Sequence, residues 1–135
     1  MGVRNTSRDG ALVAEIDDGK ANALSFDVIA DIRKAVQEAV QSGRPLVLAG
    51  REGSFCAGFD LRVMRGGDPS AIRALLTDGA GLFREICEAP VPVIAACTGH
   101  ALAGGALLLL CADQRVGPRQ PCRIGLNEVR IGMPL

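Results

Sequence analysis

The chain contains no tryptophan and no tyrosine, and only four phenylalanines in 135 residues. Its core must therefore be built from Ala, Val, Leu and Ile. Hydrophobic residues reach 48%, enough for one domain. Net charge is missing too: fifteen Lys and Arg balance fifteen Asp and Glu. This excludes a nucleic acid or an anionic membrane held by bulk charge, but leaves room for a local basic pocket that meets phosphates. Lysine is scarce, Lys20 and Lys34 being the two, so most basic residues are arginine, the better bidentate phosphate ligand. The cysteines Cys56, Cys87, Cys97, Cys111 and Cys122 are odd in number and form no CxxC pair. That pattern argues against a disulfide framework or a metal site, and for a reducing, cytoplasmic setting. Residues 90–112 carry no Asp, Glu, Lys or Arg. Yet Pro90, Pro92, Gly99, Gly104 and Gly105 break this run well short of the ~20 apolar residues of a membrane span. A buried strand, a turn and a buried helix fit it better.

The pattern alternates between strand and helix. Ala11-Leu12-Val13-Ala14-Glu15-Ile16 predicts a strand, stopped by Asp17-Asp18-Gly19. Ser25 predicts an N-cap, with Asp27 in the first turn. Val28, Ile29, Ile32, Ala35, Val36, Ala39 and Val40 then recur at helical spacing as far as Ser42-Gly43. Pro45-Leu46-Val47-Leu48-Ala49-Gly50 reads as a strand covered on both faces. A short helix is expected at Leu61-Arg62-Val63-Met64 and a loop at Gly66-Gly67-Asp68-Pro69. A longer helix is marked by Ile72, Leu75, Leu76, Leu82, Phe83 and Ile86, with Gly79 and Gly81 as weak points. Val91-Pro92-Val93-Ile94-Ala95-Ala96 predicts another buried strand. Short strands are expected at Asp113-Gln114-Arg115-Val116 and Cys122-Arg123-Ile124. Strands alternating with helices predict an α/β fold. No internal repeat of fixed period is visible. The apolar ending Ile131-Gly132-Met133-Pro134-Leu135 reads as a domain cut short or one finished by a partner.

Two small-residue turns run straight into helical stretches. The first is Ser54-Phe55-Cys56-Ala57-Gly58-Phe59-Asp60-Leu61. The second is Gly99-His100-Ala101-Leu102-Ala103-Gly104-Gly105-Ala106, followed by four leucines at 107–110. Such turns expose bare N–H groups at a helix N-terminus, where the dipole favours negative charge. Two aimed at one point make an oxyanion hole. Taken singly, each is also an ordinary strand-to-helix connection or a close helix–sheet contact. No GxGxxG follows the first strand, so a dinucleotide fingerprint is absent. Glu128 reads either as a surface glutamate in a first turn or as a proton carrier in a pocket made by Leu126, Val129 and Ile131. His100, the one histidine, could pair with Cys56 as a nucleophilic dyad, a question geometry decides.

In order along the chain, four segments resemble the enoyl-CoA hydratase/isomerase (crotonase) superfamily. They are Lys20-Ala21-Asn22-Ala23-Leu24, Phe55-Cys56-Ala57-Gly58-Phe59-Asp60-Leu61, Gly99-His100-Ala101-Leu102-Ala103-Gly104-Gly105 and Ile124-Gly125-Leu126-Asn127-Glu128. The resemblance implies that residues 1–135 form an acyl-CoA-binding core, a spiral of ββα units that lacks the family's C-terminal helical part. It implies an oxyanion hole from the N–H groups of Phe59 and Gly104, with Glu128 as catalytic base. Lys20, Ala21, Asn22, Ala23 and Leu24 line the coenzyme A side largely through backbone. Ala57, Gly58, Asp60, Leu61, Gly105 and Leu107 complete the substrate-binding set. Coenzyme A comes as part of the substrate, with no separate cofactor and no metal. The likeness also implies a homotrimer or a dimer of trimers.

Within that family, hydratases carry two glutamates. Leu107 stands at the position of the first and Glu128 at that of the second. A leucine cannot hold a water, whereas one base is enough to move a proton from C2 to C4 of a 3-enoyl thioester. The Gly125-Leu126-Asn127-Glu128 segment also resembles that of Δ3,Δ2-enoyl-CoA isomerases. The leading expectation is therefore an enoyl-CoA isomerase. A hydratase or other lyase of fatty-acid β-oxidation is the alternative, and a non-catalytic acyl-CoA-binding protein is the alternative of another class.

Overall fold

A computed structural model describes residues 2–134. β1 (Gly2–Arg8) and β2 (Ala11–Asp17) form an antiparallel hairpin, with Val3 opposite Ile16 and Arg8 opposite Ala11. β2 buries Leu12, Ala14 and Ile16 on one face, the period-2 signature of its sequence. β1 was not expected as a strand. Its Arg4-Asn5-Thr6-Ser7-Arg8 run is exposed throughout and is held by pairing with β2 rather than by burial.

β3 (Ala23–Leu24) leads into α1 (Phe26–Ser42), whose limits follow from its caps. Ser25 Oγ accepts from Val28 N–H at 3.2 Å, a contact worth ~1 kcal/mol. Gly43 closes the helix with φ 66. Next come β4 (Leu46–Gly50), β5 (Gly53–Cys56), β6 (Gly58–Phe59), α2 (Leu61–Met64) and α3 (Pro69–Glu88). Asp60 and Asp68 cap the two helices, accepting from the N–H groups of Arg62 and Ser70 at 2.9 Å each. β7 (Val93–Ala96), β8 (Gly99–Leu102) and α4 (Gly104–Cys111) account for the uncharged run, and no described helix is long and apolar enough to cross a membrane. β9 (Gln114–Val116), β10 (Ile124–Gly125) and a 3₁₀ turn at Val129–Ile131 follow.

A ββα unit recurs in this order, although no fixed period shows it. The intervening helices range from 4 to 20 residues, so repetition of architecture leaves no repetition of spacing. β2, β4, β7 and β9 pair in parallel in a sheet ordered β1-β2-β4-β7-β9. β5, β8 and β10 pair in parallel in a second sheet. From β4 onward each pair of strands, β4 and β5, β7 and β8, β9 and β10, adds one strand to each sheet, which makes the α/β spiral that the resemblance implies. The core lies between the larger sheet and the helices. It is filled by Leu46, Leu48, Val93 and Ala95 from the strands, and by Ile29, Ile32, Leu75, Leu82 and Leu108 from the helices. Arg33 of α1 donates to Glu85 of α3 at 3.0 Å and ties the two helices across their partly exposed side.

Leu48 has no exposed surface and lies on the central strand β4. Leu48→Ala is expected to cost about 2–5 kcal/mol of unfolding free energy in denaturant titration, with the m-value unchanged.

Candidate functional site

The 20–24 loop and the first turn are joined by their backbones. Ala23 pairs with Gly58 and Leu24 with Phe59. Ala57 N–H donates to Asn22 O at 3.2 Å and Asp60 N–H to Leu24 O at 3.1 Å. The loop is fixed from within by two residues. Asp18 accepts from the N–H groups of Lys20, Asn22 and Ala23 at 2.7–2.9 Å. Asn22, fully buried with φ 61, donates through Nδ2 to Ile16 O at 2.7 Å and to Ser54 O and Phe55 O at 3.1 and 3.3 Å. Its Oδ1 accepts from Asp18 N–H at 3.1 Å. Arg51 donates to Lys20 O from the far side.

The Asn22 side chain is spent inside the fold. Leu24 is likewise buried, while Lys20 and Ala21 are exposed and Ala23 is half-buried.

The second turn lies against the first. A Cβ placed on Gly58 would stand 2.8 Å from Ala103 Cβ and 3.0 Å from Gly104 N. Gly58 also has φ +92, so both space and backbone demand glycine there. A Cβ on Gly105 would stand 2.7 Å from Cys56 C and 2.9 Å from Cys56 Cβ, so α4 rides directly on β5. Ala103, the N-cap residue of α4, holds φ 52 and ψ −120 and supplies no side-chain cap. Such a backbone costs about 1–3 kcal/mol in a residue with a Cβ. Its N–H donates to Gly125 O at 3.0 Å, which brings the end of β10 to the turn. The first helical bond runs from Leu107 N–H to Ala103 O at 3.2 Å. By helix geometry the N–H groups of Gly104, Gly105 and Ala106 have no intrahelical acceptor.

Leu107 is half-buried one turn into α4, and Asp60 is buried beneath Leu61, which is exposed. The Arg62 guanidinium, at 3.0 Å, holds the Asp60 carboxyl below its ordinary range. Burial pushes the Asp18 carboxyl up, but the N–H groups of Ala23, Asn22 and Lys20 outweigh it, and the net shift is downward.

Glu128 stands three residues beyond Gly125, at the head of the 3₁₀ turn. Its Oε2 and the adjacent Asn127 Oδ1 are buried, and neither has a hydrogen-bond partner among the described residues. The expected apolar surround of Leu126, Val129 and Ile131 does not form. These residues are 53%, 72% and 37% exposed. The turn is anchored elsewhere: Arg65, at the end of α2, donates to Ile131 O at 3.1 Å. Neither Arg65 nor Asn127 was singled out in the sequence, where nothing distinguishes them from surface residues.

The dyad is excluded by geometry. Cys56 is fully buried, and burial pushes its thiol up to about 12. His100 is exposed, and its Nδ1 already accepts from Arg123 N–H at 2.8 Å. The two turns and the 20–24 loop thus meet at one place, with the Glu128 turn joined to it through Gly125 and Arg65.

Comparison with known proteins gives a consistent picture. The family model for enoyl-CoA hydratase/isomerase matches residues 7–134. A probable enoyl-CoA hydratase of Mycobacterium tuberculosis is 37% identical over 116 residues, covering 80% of this chain and 43% of that protein. A crystal structure of an enoyl-CoA hydratase/isomerase family protein from Pseudomonas syringae superposes with a TM-score of 0.94. It is 40% identical and covers 98% of this chain and 57% of its own. An enoyl-CoA isomerase of M. tuberculosis gives 0.89 at 37% identity, over 97% of this chain and 57% of its own. The chain therefore spans little more than half the length of the solved structures it matches.

Asn22→Ala is expected to lower stability by about 2–4 kcal/mol, because three carbonyls lose a donor and a Cβ-bearing backbone stays left-handed. Asn22→Gly should recover only the backbone part, as denaturant titration of the pair would show. The pH response follows from Asp18 and Asp60, whose carboxyls ionise below the ordinary 3.8 in the folded chain. Their contribution is complete above that value and is lost as pH falls through the lower folded values. Thermal melts between about pH 5 and pH 3 should show a falling midpoint, with a shallower fall in Asp18→Asn.

Proposed function

Because the chain belongs to the enoyl-CoA hydratase/isomerase family, we propose that it shifts a double bond in an enoyl-CoA thioester from Δ3 to Δ2. The observation that carries this reading is the meeting of the two turns at Gly58 and Gly104. It brings Gly58, the residue before Phe59, against Gly104 at the uncapped start of α4, which supports the N–H groups of Phe59 and Gly104 as the donor pair. A thioester oxygen received there gains two donors and the positive end of a helix.

The Glu128 carboxylate takes a proton from C2. The electron pair moves into the carbonyl, and the enolate oxygen is held by the two N–H groups. Glu128 then returns the proton at C4, and the C3–C4 double bond becomes C2–C3. No water is consumed and Glu128 ends as it began. The unpartnered Oε2 is free to accept a proton. Leu107 offers a methyl surface where a second carboxylate would hold water, which favours return of the proton over hydration. Coenzyme A is carried in as part of the substrate, lying along the 20–24 loop. The same reading includes a cytoplasmic protein assembled as a homotrimer or a dimer of trimers.

Hydratase names are as common among the relatives, so the test separates the two reactions. With a 3-enoyl-CoA substrate, Glu128→Gln should lower kcat about 10²–10⁴-fold with little change in KM. Hydration of a 2-enoyl-CoA that survives Glu128→Gln would sink the isomerase reading. Thioester binding without turnover would point to a non-catalytic acyl-CoA-binding protein.

A further inference from the structure

Gly79 lies in the middle of α3 and is buried. A glycine inside a helix costs about 1 kcal/mol relative to alanine, so its presence calls for a packing reason. The reason is the Phe59 ring. A Cβ on Gly79 would stand 2.5 Å from Phe59 Cζ and nearer still to Cε1. One turn along α3, Phe83 meets the same ring edge to face, with centroids 6.1 Å apart and planes at 62°. On the other side, a Cβ on Gly104 would stand 3.6 Å from Phe59 Cδ2. The ring is thus held in a slot between α3 and the start of α4, and Gly79 is the floor of that slot.

We propose that Gly79 is a positioning residue for the oxyanion site. By lacking a side chain it seats the Phe59 ring, and the ring sets the backbone at Phe59, and hence the Phe59 N–H of the Gly58–Phe59 peptide, relative to Gly104 N–H. The proposal rests on the oxyanion role given above to those two groups. Its physical content is a lever. Carbon atoms rest about 3.5–4.0 Å apart, so a methyl at Gly79 moves the ring by roughly 1 Å. The next peptide, Phe59–Asp60, which moves with the same Cα, is restrained by one strand bond, Asp60 N–H to Leu24 O at 3.1 Å, and by the Asp60 cap of α2. Displacement of the ring therefore loads that bond first.

The test is a double-mutant cycle in the full-length protein, read by steady-state kinetics and by amide hydrogen exchange at Asp60 in the ligand-free state. Gly79→Ala should lower kcat about 10–100-fold with KM changed less than about threefold, since a misplacement near 1 Å acts on the transition state. Exchange at Asp60 should rise about tenfold. In a Phe59→Ala background, which keeps the backbone N–H but removes the ring, adding Gly79→Ala should change kcat less than about twofold. That last comparison does not need the Gly79→Ala single variant to fold. An equal loss from Gly79→Ala with and without the ring, or unchanged exchange at Asp60, overturns the proposal. Should the native protein turn over no 3-enoyl-CoA while Asp60 exchange responds to Gly79→Ala, the isomerase reading falls and the seating of Phe59 stands.

Discussion

The fold of the site depends on one buried amide. Asn22 ends no strand and starts no helix, yet its side chain reaches the last turn of β2 at Ile16 and the carbonyls of Ser54 and Phe55 in β5. Its own carbonyl takes the Ala57 N–H, and its N–H goes to Asp18. The Lys20–Arg51 contact, the β3–β6 ladder and the Asp60 bond to Leu24 all act on a loop whose shape this residue sets. A buried amide satisfied on both ends rigidifies its surroundings. One left half satisfied would cost more than an apolar side chain in the same place. Glycine, asparagine and aspartate enter the left-handed region at φ 61 most readily, and of these only asparagine also supplies the side-chain donors.

Scarcity of aromatics shapes the rest. A core made from Ala, Val, Leu and Ile can bring backbones close, and here they do approach closely. α4 sits on Cys56 through Gly105, and Gly58 sits beneath Ala103 and Gly104. Such contacts aim main-chain N–H groups with a precision that flexible side chains lack, because each is held by the helix or strand that carries it. The accompanying strain is local. Ala103 bears it at φ 52, and the bond to Gly125 O helps to hold it there. Phe59 is the exception among these small residues, and its ring acts as a wedge between α3 and α4.

Much of this was legible in the chain itself. α1 runs from its serine cap to its glycine stop as expected, since cap and period are local signals. The short helix after Asp60 and the buried strands at 46–50 and 93–96 are also where the pattern puts them. What was not legible is set by distant partners. β1 is polar along most of its length and becomes a strand by pairing with β2. Gly79 reads as a weak point in a helix until the ring opposite it is known. The side chain of Asn22 turns inward because of carbonyls more than thirty residues away. Leu126 and Val129, apolar neighbours of Glu128 in sequence, are exposed, because closeness along the chain does not bring their side chains over the carboxyl. The repeated ββα unit is hidden for a related reason: strand pairing conserves the order of elements, and loop lengths are free to differ.

The proposed chemistry needs few groups, and the electrostatics explain why few suffice. A proton removed from C2 leaves charge on an oxygen some bonds away, so the base and the charge stabiliser are separate tasks. Two backbone N–H groups carry the second task without titrating, so the site does not trade one ionisation against another. That leaves Glu128 as the one carboxylate assigned to proton transfer, with a buried oxygen that has no described partner. A second carboxylate at 107 would hold water but would also repel the enolate through a medium of low dielectric. Leucine there removes both effects together. On the proposed reading, the two glycine turns would supply stabilisation common to many thioester reactions, and the residue one helical turn beyond them would bias which reaction follows.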